Sequence, residues 1–219
     1  MSSPRNMVMV PAKADDRLAC PVAIFARAPI AGAAKTRLIP RLGAAGAAAL
    51  HARLVTHTLT QVAAARPTSA TLWCSPDATH SFFADCRATF GVTLEPQHGA
   101  DLGQRMHAAF VAAQGPLLLV GTDCPMLGPD LLREAAEALL NGSDAAFCPA
   151  EDGGYGLVGL RKPCPSLFDD MDWGTDRVMS ETRARLRRLG LAWHETATVW
   201  DVDRPEDIGR LAAFPTLPP

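Results

Sequence analysis

Apolar residues along this chain follow two periods. Short unbroken runs of strand length, buried on both faces in a parallel sheet, alternate with longer stretches of helical spacing. The runs are PVAIFAR (21–27), ATLWCS (70–75), VTLEP (92–96), PLLLVG (116–121), DAAFCPA (144–150) and YGLVGL (155–160). AWHETATVWDV (192–202) reads as a last strand. Between them, Ala44 to Ala65 carries Leu50, Leu54, Leu59 and Val62 near helical spacing, and SFFADCRATF (81–90) reads as a short helix. Leu102 to Ala113 is a further helix, Pro129 opens another running to about Leu140, and Asp176 to Leu189 is charged and amphipathic. RPEDIGRLAAF forms a final short helix. Strands alternating with helices predict one α/β domain, a three-layer sandwich around a mostly parallel, Rossmann-like sheet. The polar, unpatterned residues 1–19 read as a loose tail, and 20–214 as the domain.

Composition narrows the class. The chain has 219 residues, 48% hydrophobic and 20% charged, which argues against overall disorder. No apolar run approaches the length of a membrane span, and the N-terminus lacks the pattern of a signal peptide. The six cysteines are scattered without a C-x-x-C pair, so neither zinc nor a disulfide framework is suggested. A reduced, cytoplasmic protein is the expectation. A net charge of −2 gives no case for nucleic-acid binding. The charge is unevenly spread, however. Residues 17–76 contain no acid and carry +7, whereas 77–219 carry −9. One half can offer cations to an anionic ligand, and the other can offer carboxylates to a metal.

Sheets of this kind bind ligands beyond the carboxyl ends of their strands. The loop after the first strand, APIAGAAKTRLIPRLG (28–43), fails two familiar tests there. It has no G-x-G-x-x-G, and Ala34 and Pro29 stand where a P-loop requires glycine. It nevertheless groups Arg27, Lys35 and Arg37, with Gly32 letting backbone approach, which suits phosphate. Lys35 is one of three lysines in a chain with 18 arginines.

The carboxylates lie on later strands. Asp123 in GTDCP (121–125) sits at a strand end, where it can hold Mg²⁺ or Mn²⁺ with substrate phosphate oxygens, or simply close a turn on its own backbone. In WDVDRPEDI (200–208), Asp201 and Asp203 are two apart and face one side of an extended chain; either or both can supply the second metal ligand. EDGGYGLVGL (151–160) places Asp152 before a Gly-Gly turn, as an acceptor contact or general base. QHGADLGQRM (97–106), with its glycine-containing entry and Arg105, can cradle a base or ribose at a helix N-terminus, and Trp173 in DWGT offers a stacking surface or a partly buried anchor.

Six motifs in order, FARAPIAGAAKTRL, QHGADLGQRM, GTDCP, AEDGGYGLVGL, DWGT and DVDRPEDI, cover about residues 22–211. On these the sequence resembles the bacterial transferase family related to GT-A glycosyltransferases, often labelled arsenosugar-biosynthesis or radical-SAM/selenodomain-associated glycosyltransferases. Ala31 departs from the proline usual there, and Arg27 stands where the family often has lysine. The K-[ST]-R-L loop, here Lys35, Thr36, Arg37 and Leu38, is also similar to that of phospholactate guanylyltransferase and molybdenum-cofactor nucleotidyltransferases. The resemblance implies a nucleotide-diphospho-sugar transferase (GT-A) fold, with Arg27, Gly32, Lys35, Thr36 and Arg37 on the nucleotide phosphates. It implies Asp123 with Asp201 or Asp203 on Mg²⁺ or Mn²⁺, and Gly99, Asp101 and Arg105 near the base. Gly153, Gly154, Tyr155 and Trp173 fall on the acceptor side. Lys35, Arg37, Asp123 and Asp152 are then the expected catalytic set.

The expected function is metal-dependent transfer of a sugar from a nucleotide-sugar donor to a small-molecule acceptor. The K-T-R-L loop also suits nucleotidyl transfer from a triphosphate to a phosphorylated small molecule, because more phosphates need more cations. A nucleotide-binding protein without catalysis is the reading of a different class. Neither nucleic acid nor membrane is an expected partner.

Overall fold

The computed structural model describes residues 17–214 and 217. The element order is that expected of an α/β chain. Strands β1 (Val22–Arg27), β2 (Ala70–Ser75), β3 (Thr93–Pro96) and β4 (Leu117–Val120) alternate with helices α1 (Ile39–Ala65), α2 (Ser81–Phe90) and α3 (Leu102–Ala113). Helix α4 (Pro129–Leu140), the hairpin β5 (Ala145–Pro149) and β6 (Tyr155–Leu160), α5 (Val178–Leu189) and β7 (Trp193–Glu195) follow. The seven strands form one sheet in the order β3-β2-β1-β4-β6-β5-β7. All pairings are parallel except those of β6, which runs antiparallel to both neighbours.

The two-residue period of the strands sorts side chains to opposite faces. On β4, Leu118 and Val120 join Ile24, Leu72 and Ala146 under α1, α2 and α4, against Leu59, Phe83, Leu132 and Leu139. Leu117 and Leu119 join Ala23, Phe25, Phe147 and Val158 on the other face, against Met106 and Phe110 of α3 and Met179 and Leu186 of α5. These two cores make the three layers.

A third apolar cluster positions the site. Leu38, Leu50 and Leu54 meet Trp200, Val202, Ile208, Leu211 and Leu217, tying the C-terminal segment to the start of α1. Helix α1 begins earlier than Ala44, but Gly43 within it adopts φ 70°, ψ 165°, so the helix breaks where its alanine-rich part was expected to start. The expected last strand is shorter than 192–202. It pairs only over Trp193–Glu195, with one further bridge between Ala150 and Val199. Beyond it Trp200 and Val202 still alternate into the core, so the hydrophobic pattern persists without a ladder to accompany it. The segment read as a final helix is a 3-10 helix over Pro205–Ala213. The tail read at 1–19 lies outside the described residues as far as residue 16. No helix among the described residues is long and apolar enough to cross a membrane.

Truncating Leu118, fully buried in the central strand β4, is expected to cost about 2–5 kcal/mol. The same change at Leu140, which is 53% exposed, should stay within about 0.5 kcal/mol. Urea unfolding of Leu118→Ala and Leu140→Ala checks both, and equal losses would contradict the burial described.

Candidate active site

The chain runs outward from β1 to β2 and β3, then returns to place β4 on the other side of β1. That reversal leaves a crevice beyond the carboxyl ends of β1 and β4, the position where open α/β sheets take ligands. A cavity of about 640 Å³ opens there. It is lined by Arg27 from the end of β1, Lys35, Thr36 and Arg37 from the following loop, Gln97 from the approach to α3, Arg105 from the first turn of α3, and Gly121 and Asp123 from the end of β4. His51 of α1 and Asp203 of the C-terminal segment complete it.

The loop folds back on itself before reaching the cavity. The amides of Ala33 and Ala34 donate to Ile30 O at 3.0 Å, and Gly32 takes φ 83°, a conformation that favours glycine. Lys35 also lies in the left-handed region, at φ 49° and ψ 47°, where a side chain is strained. Its surroundings hold it there. The side chain is 5% exposed, and Nζ donates to Asp123 Oδ2 at 2.9 Å and to the Val202 carbonyl at 2.5 Å. Lys35 therefore spends its charge inside the protein, whereas Arg37 is exposed and pairs with Asp203. Arg27 reaches Ala33 O at 3.3 Å and Arg105 reaches Gly99 O at 3.0 Å, so both guanidinium groups are braced by backbone carbonyls at the rim.

Burial alone would raise the Asp123 carboxyl, but the charges of Lys35, His51 and Arg27 outweigh it and hold the group below its usual value. It is thus ionised. Oδ2 has Lys35 as partner, whereas Oδ1 is buried and unpartnered. An ionised oxygen left bare fits a divalent cation that takes one or two carboxylates and finishes its shell with phosphate oxygens and water. No cluster of three or more His, Cys, Asp or Glu that could hold a metal by itself occurs among the described residues.

A second cavity of about 460 Å³ shares Arg37 and Asp203 with the first. Its lining includes Glu151, Asp152, Asp176, Asp201 and Asp207, with Trp200, Arg204 and Arg210. Arg210 forms a two-pronged pair with Glu151, at 2.7 and 2.9 Å, and lies 4.3 Å over the Trp200 ring. Asp207 accepts the amides of Asp203 and Arg204, fixing the turn into the 3-10 helix. Asp152 Oδ1 accepts from Gly154 N at 2.9 Å and shapes the Gly-Gly turn. Gly153 must be glycine for two reasons. Its φ is 89°, and a Cβ would stand 2.1 Å from the Asp176 carbonyl. Asp201 is pushed up to about 6, first by burial and then by the nearby Asp152 charge.

The structure brings Arg27, Lys35, Thr36, Arg37, Arg105, Asp123 and Asp203 together on one cavity, and Asp152, Asp201 and Asp203 on its neighbour. It does not bring in the remaining candidates. Asp101 caps α3, its Oδ1 accepting from Gln104 N at 2.8 Å, and Gly99 takes φ 139°, where an added Cβ would stand 2.7 Å from Gln104 Cβ. Tyr155 stacks edge-on against Phe147 and Trp173, and Trp173 also meets Phe168, an aromatic packing group on the α3 face of the sheet. Gly32, Gly99, Asp101, Gly153, Gly154, Tyr155 and Trp173 line neither cavity. His51, Gln97, Asp176 and Trp200 do line them, and sequence reasoning missed all four. A lone histidine inside an alanine-rich helix carries no spacing signal, and Trp200 is indistinguishable in sequence from a core residue.

The fold is a Rossmann-like α/β sandwich of the nucleotide-diphospho-sugar transferase type. More particularly, the chain belongs to the family described as an uncharacterized protein conserved in bacteria (DUF2064), whose model matches residues 58–175. No curated protein matches the chain. Among solved structures, a candidate nucleotide-diphospho-sugar transferase from Desulfovibrio desulfuricans G20 is 31% identical, with a TM-score of 0.75 over 86% of this chain and 83% of that one. A CMP:2-keto-3-deoxy-manno-octonic acid synthetase complexed with CTP matches at 12% identity and TM-score 0.58, covering 89% of this chain and 97% of the other. The inositol-1-phosphate CTP transferase from T. maritima matches at 12% and 0.57, covering 87% and 91%. At 12% identity the last two show a shared fold and nothing finer.

The elevated Asp201 has a sign that can be checked. Its folded value of about 6 lies above the roughly 3.9 of an unfolded aspartate, so its contribution to stability is whole below about pH 4 and is lost as pH rises through 6. In chelator-treated protein, Asp201→Asn should raise Tm at pH 7.5 and leave it nearly unchanged at pH 4. Thermal unfolding at the two pH values tests this, and a loss of Tm at pH 7.5 would contradict it.

Proposed function

We propose that this protein is a nucleotide-utilising transferase that moves a sugar from a nucleotide-sugar donor to a hydroxyl of a small-molecule acceptor. The observation that carries this reading is the pair of joined cavities with opposite linings. The larger presents Arg27, Arg37 and Arg105 around the ionised Asp123, a setting for a nucleoside diphosphate and its metal. The smaller is rich in carboxylates and suits an acceptor that offers hydroxyl donors. The relative from D. desulfuricans supports the same class.

In this reading the acceptor hydroxyl attacks the anomeric carbon, a new C–O bond forms there, and the bond to the diphosphate oxygen breaks. The hydroxyl proton passes to the acid side of the site, where Asp152 and Asp201 line the same cavity. The electron pair leaves with the nucleoside diphosphate, whose growing charge meets Arg27, Arg37 and Arg105. Lys35 contributes by holding Asp123 in its ionised form and in place. A Mg²⁺ or Mn²⁺ ion held by Asp123, with Asp201 as the second acid, would neutralise charge on the diphosphate. Asp203 is less available because Arg37 engages it.

Nucleotidyl transfer is the second reading, favoured by the K-T-R-L loop. Two features weigh against it. The loop lysine is turned inward, which removes a cation that a triphosphate would use. The second cavity would also repel the phosphate of a phosphorylated acceptor. The family label of arsenosugar-biosynthesis glycosyltransferase belongs with the favoured reading, and a cytoplasmic setting is proposed with it.

Incubation with panels of nucleotide sugars and of nucleoside triphosphates, each with Mg²⁺ or Mn²⁺, separates the readings by product. Nucleoside diphosphate released in step with acceptor glycosylation is expected. Pyrophosphate release instead would establish nucleotidyl transfer, and binding without turnover of any donor would favour a non-catalytic role. Asp123→Asn should lower kcat/KM by about 10²–10³-fold with an unchanged circular dichroism spectrum.

A further inference from the structure

His51 is 5% exposed on α1 and lines the larger cavity. Its Nε2 lies 2.9 Å from the Arg27 carbonyl, which can only accept, so Nε2 carries the proton. In the neutral ring this tautomer leaves Nδ1 unprotonated. Nδ1 therefore presents a lone pair. That atom is buried and has no hydrogen-bond partner, as is Asp123 Oδ1. His51 and Asp123 thus line one cavity, and each keeps a buried acceptor atom without a partner. A phosphate oxygen is a third acceptor and satisfies neither. What they require is a cation or a hydrogen-bond donor.

We propose that His51 Nδ1 is an inner ligand of the divalent cation, alongside Asp123 Oδ1, making a mixed nitrogen–oxygen site. The proposal rests on the reading of a metal-dependent nucleotide transferase given above. The remaining ligands would be phosphate oxygens and water, as expected where the protein supplies only a few of its own. The orientation of His51 supports it: metal-bound histidines commonly donate their other ring N–H to a backbone carbonyl, which fixes the tautomer and aims the free nitrogen. Asp123 Oδ2 is held by Lys35, so Oδ1 is the oxygen left to face the ion. An imidazole ligand also sets the choice of metal. Mg²⁺ prefers oxygen donors alone, whereas Mn²⁺ and later divalent ions accept nitrogen, so the site should prefer Mn²⁺ to Mg²⁺.

The test uses the full chain with Mn²⁺ and inorganic pyrophosphate, which stands in for the diphosphate without fixing a base. Electron spin-echo envelope modulation of bound Mn²⁺ should show directly coordinated ¹⁴N, and labelling the histidines with ¹⁵N should shift that signal. Among the described residues His51 is the one histidine lining this cavity, so the wild-type spectrum is informative even if a variant folds poorly. His51→Phe should abolish the nitrogen signal and weaken Mn²⁺ binding about tenfold or more, with a smaller effect on Mg²⁺. Mn²⁺ that binds without nitrogen coupling, or a coupling that survives His51→Phe, would overturn the ligand assignment and leave the transferase reading intact. Failure of Mn²⁺ to bind at all with pyrophosphate would overturn both.

Discussion

The ammonium of Lys35, buried between the Asp123 carboxylate and the Val202 carbonyl, is the contact on which the rest of the site depends. It joins three segments far apart in sequence: the loop after β1, the end of β4 and the C-terminal strip before the 3-10 helix. The main chain reinforces the join, because Val202 N donates to Asp123 O at 2.8 Å. Leu38 and Val202 then pack into the same apolar cluster. A buried ammonium without a counter-charge costs several kcal/mol, so the loop can keep Lys35 inside only while Asp123 is ionised. The strained backbone at Lys35 persists because both the charge pair and the packing over-determine it.

This arrangement divides the labour among the cations. The inward lysine fixes Asp123, and the outward arginines remain for an anionic ligand. The uneven charge of the sequence acquires a spatial meaning as well. The acid-free stretch 17–76 supplies Arg27 and Arg37 to one cavity, and the acidic remainder supplies Asp152, Asp176 and Asp201 to the other. The Arg37–Asp203 pair sits at the boundary, lining both. A substrate with an anionic leaving half and a hydroxyl-bearing acceptor matches that polarity.

Much of the fold was legible in the sequence because strand burial and helix amphipathicity are local signals. Ala70–Ser75, Ser81–Phe90, Leu102–Ala113, Pro129–Leu140 and Tyr155–Leu160 stand where their patterns placed them. The last strand was overextended because Trp200 and Val202 alternate like strand residues while packing on α1 rather than pairing with β5. Which acids and cations meet was legible in outline, since loops at strand ends converge in any sheet of this type. Orientation was not. Nothing in K-T-R-L says that the lysine turns inward and the arginine outward, because that follows from the left-handed backbone at Lys35 and from a partner 167 positions away. Tyr155 and Trp173, from two separate glycine-containing motifs, meet in one aromatic group, which matches the buried-anchor alternative for Trp173. His51 gave no signal, because its meaning lies in a nitrogen left without a partner.

The most direct measurement is a double-mutant cycle on the central pair, with Lys35→Met, Asp123→Asn and the double variant compared by urea unfolding. Asp123 is partly open to solvent, so the coupling should fall short of that of a fully buried pair. A coupling energy of about 1–2 kcal/mol is predicted, with each single variant less stable than simple additivity with the double allows. Additive losses, within about 0.3 kcal/mol, would show that Lys35 and Asp123 do not hold each other and would contradict the site architecture described here.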